Sequence, residues 1–118
     1  MTNTIDGLSI DCANPWALAQ FWSRLLDWPI DDDNAPDDHE VGVSPREAGP
    51  PLLFIKVPEV KSGKNRLHLD IKPDDQDAEV RRALELGAIR VEVGQSGDES
   101  WVVLADPEGN EFCILKSR

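Results

Sequence analysis

The sequence predicts an α+β fold made of two similar βαβββ modules, and three observations carry the prediction. Residues 64–71, K-N-R-L-H-L-D-I, alternate polar and apolar from Arg66 onward. That is the period-two pattern of a half-buried strand, with Arg66, His68 and Asp70 on one face and Leu67, Leu69 and Ile71 on the other. An amphipathic helix follows a strand in each half of the chain. The order strand, helix, then about three strands occurs twice, with the strands before the helices offset by 61 residues, from Gly7 to His68. The closing strands match as Leu53-Phe54-Ile55 against Glu111-Phe112-Cys113. A repeat of this length reads as a duplicated module, about 1–60 and about 64–118 of one domain spanning 1–118, each module needing a partner to cover its sheet.

Taken in order, Ile5 to Cys12 reads as the first strand, with Leu8, Ile10 and Cys12 on one face and Gly7, Ser9 and Asp11 on the other. Asn14-Pro15 is a helix start: Asn caps free amides, and Pro occupies a position that needs no amide partner. Leu18, Phe21, Trp22 and Leu25 recur at helical spacing, which predicts a helix over 15–27, stopped by Pro29. Residues 31–40 are mostly Asp, Asn, Pro and Glu, an exposed turn or mobile loop flanked by weak strands, with His39 solvated. Leu52 to Val57 is the next strand, and 59–64 the linker.

The strand over 64–71 opens the second half. Pro73-Asp74-Asp75 marks a helix start, where acids also suit the positive end of the helix dipole. Val80, Ala83 and Leu84 form its apolar stripe and Gly87 its stop. Ile89, Val91 and Val93 alternate with Arg90 and Glu92 as a strand. A turn around 94–97 leads to Trp101–Leu104. The dense turn signal Asp106-Pro107-Glu108-Gly109-Asn110 precedes a last strand, Glu111 to Leu115.

Composition narrows the function. A chain of 118 residues is large enough to bury a core without disulfides or a metal. Its net charge of −11 argues against nucleic-acid binding, which needs clustered Lys and Arg. No run approaches the roughly 18 apolar residues of a membrane span, and no signal pattern opens the chain, which points to the cytoplasm. The two cysteines, Cys12 and Cys113, are not in a C-x-x-C pair and read as reduced, buried thiols. No phosphate loop, dinucleotide fingerprint or serine-hydrolase elbow is present.

Paired strand-helix-strand-strand-strand modules, with R-L-H-L-D-I opening the second and W-V-V-L-A-D-P-E-G-N-E-F-C-I-L closing it, resemble the vicinal oxygen chelate superfamily and, within it, glyoxalase-like domains. The resemblance covers almost the whole chain. The superfamily includes glyoxalases, extradiol dioxygenases, fosfomycin-resistance transferases and bleomycin-binding proteins. It implies a cupped mixed sheet with the helices on its outer face, enclosing a cavity that often holds a divalent metal. Fold analogy does not settle function, so each site position is read from this sequence.

The resemblance puts metal-ligand positions on the first and last strand of each module. They fall on Gly7, near Ile55, on His68 and, from the D-P-x-G-N-x-x-E pattern, on Cys113. Gly7 and Ile55 offer no donor atom, and one His with one Cys does not close a divalent site. The expectation is therefore no metal and no cofactor, unless acids such as Glu111 or Asp11 rebuild the ligand set.

By parity, Gly7, Ser9, Asp11, Arg66, His68, Asp70, Glu111, Cys113 and Leu115 belong to the face that the family turns to its cavity. Phe54, Leu67, Leu69, Phe112 and Ile114 belong to the helix-facing core. His68 is the candidate catalytic residue, a general acid or base, or else one member of an Arg–His–Asp row that braces the sheet. Arg66 reads as the partner of a nearby acid. Cys113 reads either as a nucleophile activated by His68 or as an inert buried thiol. Trp101 is placed at the cavity rim, where indole can stack on a ligand, while Trp16, Trp22 and Trp28 read mostly as core. Ser9, Asp11, Asp70, Trp101, Glu111 and Cys113 are the candidate ligand-binding residues.

The expected function is to bind or turn over a small organic molecule without a bound metal. The alternatives are a metal-dependent lyase, isomerase or dioxygenase, and a non-catalytic interaction module whose cavity its own side chains fill. A homodimer is expected, closed two-fold pairing being the commonest oligomer.

Overall fold

The structure is a computed structural model that describes residues 2–91 and 100–116. The expected strand residues Glu92 and Val93 and the turn at 94–97 lie outside the described residues. The chain forms two compact units, 1–60 and 61–118. Each holds one helix and one mixed sheet, the α+β class expected.

Unit 1 runs β1 (Leu8–Cys12), α1 (Pro15–Leu26), β2 (Glu40–Val43) and β3 (Leu52–Lys56). Its sheet has the order β1-β3-β2, with β1 parallel and β2 antiparallel to β3. The helix begins as the sequence specifies: the Asn14 side chain accepts the Ala17 N–H at 3.2 Å and Pro15 opens the first turn. Its stop differs from the expectation. The helix ends at Leu26, ahead of Pro29, because Asp27 adopts the left-handed conformation (φ 56°) and its N–H bonds back to Ser23 O. Leu18, Phe21, Trp22 and Leu25 are buried with Val41, Val43, Leu52 and Phe54, and these residues form the unit's core.

Residues 31–44 are tied down rather than loose. Asp31 takes the Ser44 hydroxyl at 2.7 Å, and its N–H bonds to Gly42 O at 2.9 Å. Asn34 accepts the Gly42 N–H at 2.8 Å. Before β2, Ile30 makes only an isolated bridge to Val43. His39 is exposed, as expected.

Unit 2 runs β4 (Asp70–Ile71), α2 (Gln76–Leu86), β5 (Ile89–Arg90), β6 (Trp101–Ala105) and β7 (Glu111–Leu115), with sheet order β4-β7-β6-β5. Asp75 caps α2 by accepting the Ala78 N–H at 3.1 Å, and Gly87 (φ 122°) ends it. The helix packs on β7, where Gln76 Nε2 donates to Ile114 O at 2.9 Å. Phe112, Ile114 and Leu104 share one sheet face and are almost fully buried. The turn before β7 is closed by Asp106, only 2% exposed, which accepts the Glu108 and Asn110 N–H groups at 2.9 and 3.0 Å. Gly109 supplies the positive φ of 87° that this turn requires.

The strand expected over 64–71 is corrected: only Asp70 and Ile71 form ladder pairs, with Cys113 and Ile114 of β7. Carried backward, that parallel register would set 64–67 against 107–110, and those residues form the Asp106 turn, whose Glu108 and Asn110 amides already bond to the Asp106 side chain. With no ladder to join, the segment bends. Leu67 is consequently 85% exposed rather than core, and Leu69 only half-buried.

The in-sheet registers also refine the internal repeat. The helix caps Asn14 and Asp75 stand 61 residues apart, as the sequence offset has it. Phe54 and Phe112, both buried, are equivalent in their sheets; the next residues, Ile55 and Cys113, pair with Asp11 and Asp70 respectively. Asp11 and Asp70 are 59 residues apart, so the sheet position matching His68 is Ser9 rather than Gly7.

Candidate functional site

The chemically loaded part of the chain lies in unit 2, on the sheet face opposite Phe112 and Ile114. Register places Asp70 beside Cys113, Cys113 beside Val103, Leu115 beside Trp101, and Glu111 beside Ala105, which in turn pairs with Ile89. Residues paired in register share a face, so these side chains form one surface. Val103 and Ala105 are buried, Trp101 is 40% exposed and Ile89 61% exposed. The middle and far strands are therefore apolar, and the polar groups gather along β4 and the start of β7.

Three of those groups converge. His68 Nδ1 lies 3.1 Å from Asp70 Oδ1, and the nitrogen, carboxylate and Sγ donor atoms of His68, Asp70 and Cys113 all lie within 4.8 Å of one another. His68 and Asp70 are about half exposed, whereas Cys113 is buried. The thiol is held above its ordinary range, first by burial and then by the nearby Asp70 carboxylate; Lys64 opposes this weakly. Cys113 therefore has the surroundings of an inert thiol, and not those of the activated nucleophile considered from sequence. Neither cysteine is in a disulfide, and both are buried.

Glu111 is committed elsewhere. Its Oε1 accepts the Asn65 N–H at 3.0 Å, its Oε2 pairs with Lys61 Nζ at 3.1 Å, and Asn65 Nδ2 donates to its backbone carbonyl at 3.2 Å. Burial works to raise its pKa, but the Asn65 amide and the Lys61 ammonium outweigh it and hold the carboxyl below its usual range. Lys61 also donates to Gly63 O. Sequence reasoning missed Lys61 and Asn65, although a Lys and an Asn just ahead of a polar alternating stretch were the available signal.

Arg66 is exposed and makes no ion pair among the described residues, which corrects its expected pairing with an acid and leaves the bracing row with two members. Ser9 and Asp11 lie on β1 of unit 1, exposed, in register with Leu53 and Ile55. Of Trp16, Trp22 and Trp28 only Trp22 is fully core; Trp16, in α1, and Trp28, just past its end, are half-buried.

The residues do not fit the four-donor nitrogen and oxygen site that the family suggests. Gly7 and Ile55 carry no donor, Ser9, which the sheet register sets at the position of His68, offers only a hydroxyl, and the fourth position is a buried thiol whose pKa is raised. Among the described residues, the grouped donors are His68, Asp70 and Cys113, without Asp11 or Glu111. Asp70 is the addition that the sequence count of ligands overlooked.

The glyoxalase-like domain family model matches residues 7–115. No curated protein matches the chain in sequence. Solved structures share the fold at low identity. A glyoxalase/bleomycin resistance protein/dioxygenase family enzyme from Burkholderia phytofirmans PsJN is 19% identical with a TM-score of 0.76, covering 97% of this chain and 98% of that one. The fosfomycin resistance protein FosX from Mesorhizobium loti is 13% identical at 0.71, covering 100% and 94%. TnmS3, an antibiotic binding protein from Streptomyces sp. CB03234, is 18% identical at 0.64, covering 98% and 96%. With a family match across nearly its full length and the α+β units that family uses, the chain belongs to the glyoxalase-like domains of the vicinal oxygen chelate superfamily.

Proposed function

We propose that this protein binds, or turns over, a small organic molecule on the unit 2 face, with His68 as the acting group and without the divalent metal of its family. The observation that carries the reading is the His68–Asp70–Cys113 constellation beside an apolar strip ending in Trp101. Such a surface offers hydrogen-bonding groups at one side and stacking area at the other, the usual make-up of a small-molecule site. The structural neighbours described as an antibiotic binding protein and a fosfomycin resistance protein support the ligand class. No helix among the described residues is long and apolar enough to cross a membrane. Cysteines outside any disulfide suit a reducing, cytoplasmic setting, and a homodimer is part of the proposal.

The test is a titration of chelator-treated protein with fosfomycin, bleomycin and catechol, followed by amide NMR. Binding of one of them should shift His68, Asp70 and Trp101, and His68→Ala should weaken it at least tenfold with an unchanged melting temperature. A large loss of thermal stability with no change in binding would instead make His68 a brace.

The convergence of three donors favours a second reading, a metal-dependent lyase, isomerase or dioxygenase with a rebuilt ligand set. Elemental analysis of protein purified without chelator decides between the two. One zinc, nickel, iron or manganese per chain, lost in His68→Ala, would put the second reading first.

A further inference from the structure

We infer that Asp70 is a positioning residue: it fixes His68 as the Nδ1–H tautomer and leaves Nε2 as the hydrogen-bond acceptor offered to a ligand. The inference deepens the reading of the unit 2 face as a small-molecule site and rests on it for its ligand consequence.

Asp70 is the anchored member. It stands in the β4–β7 ladder opposite Cys113, and the adjoining ladder bond runs from Cys113 N to Leu69 O at 2.9 Å. The Cys113 Sγ lies within 4.8 Å of the Asp70 carboxylate. His68 lies two residues earlier, outside the ladder, so its ring is oriented by the 3.1 Å contact of Nδ1 with Asp70 Oδ1. An ionised carboxylate can only accept, so the ring nitrogen facing it must carry the proton. A neutral imidazole has one N–H, and Nε2 is thereby left with its lone pair, the logic by which a carboxylate selects the tautomer of an active-site histidine. With its side chain 48% exposed, His68 can present that nitrogen outward.

The ligand preference follows from charge. An acceptor nitrogen flanked by the Asp70 carboxylate favours a ligand presenting a hydroxyl donor and disfavours a carboxylate. The apolar strip through Val103 to Trp101 favours an aromatic body. The fitting class is a neutral phenol, rather than an aromatic acid.

The experiment is a two-bond proton–nitrogen correlation on ¹⁵N-histidine-labelled, chelator-treated protein, with exposed His39 as internal reference. The expected result is a protonated Nδ1 and unprotonated Nε2 at His68. Asp70→Asn, whose amide can donate to Nδ1, should reverse that assignment. An Nε2–H tautomer in the unaltered protein, or no change in Asp70→Asn, overturns the inference; the first measurement needs no variant to fold. Titration with phenol and benzoate tests the ligand reading separately. Phenol should bind more tightly than benzoate and weaken about tenfold in Asp70→Asn. If neither compound binds while the tautomers behave as stated, the small-molecule reading fails and the positioning role of Asp70 stands.

Discussion

At the scale of single residues, the contrast between Glu111 and Cys113 shows how one strand face sets opposite proton affinities two positions apart. Glu111 meets an amide and an ammonium that together outweigh its burial, and its pKa is lowered; Cys113 is raised by burial first and then by the Asp70 carboxylate. A carboxyl whose folded pKa is depressed adds stability that is complete above its unfolded value and is lost as the pH falls through the folded one. Chemical denaturation should therefore show stability falling as the pH drops below the ordinary value of 4.5. In Glu111→Gln that part of the acid loss should disappear, at a cost of about 1–3 kcal/mol near neutrality. An acid limb identical in both proteins would show that the Lys61–Glu111 pair contributes nothing. The parity of Glu111 and Cys113 was legible in sequence because strands alternate. Their partners were not, because register across strands decides which carboxylate or ammonium arrives, and no local pattern encodes it.

Among the elements, the two helices and the final turn were legible because their signals are local: Asn14-Pro15 and Asp75 cap, and Asp106 with Gly109 closes a turn upon itself. The strand over 64–71 was misread for the opposite reason. Its alternation was real, but a strand needs backbone to pair with, and the residues facing 64–67 had been spent in the Asp106 turn. In β2, Gly42 has a requirement that hydropathy could not show. A Cβ at that position would collide with the Asp31 carboxylate, which is itself held by Ser44. Gly42→Ala should destabilise the protein by about 1–3 kcal/mol in thermal or urea unfolding. Asp31→Ala in the same background should recover part of the loss, and an unchanged midpoint in Gly42→Ala would refute the account.

For the whole molecule, charge governs association. A copy carrying −11 repels another copy, so the proposed homodimer must overcome that repulsion with apolar contact. Val60, Ile5 and Ile89, 86%, 69% and 61% exposed, are candidate surface for it. Salt shortens the reach of the repulsion from about 30 Å at 0.01 M to about 3 Å at 1 M. Light scattering should accordingly show the dimer fraction rising with ionic strength at fixed protein concentration. A monomer at every salt and protein concentration would reject the dimer.

The stretch between first strand and helix cap is two residues longer in unit 2 than in unit 1, measured from Asp70 to Asp75 against Asp11 to Asn14. Side chains alternate with a period of two, so a slip by an even number slides a strand about 6–7 Å without turning it over. An odd insertion at the same place would have sent Asp70 into the core and Ile71 into solvent. A one-residue insertion between Asp70 and Asp75 should therefore cost more stability than a two-residue insertion, a difference that urea unfolding of the two variants would show.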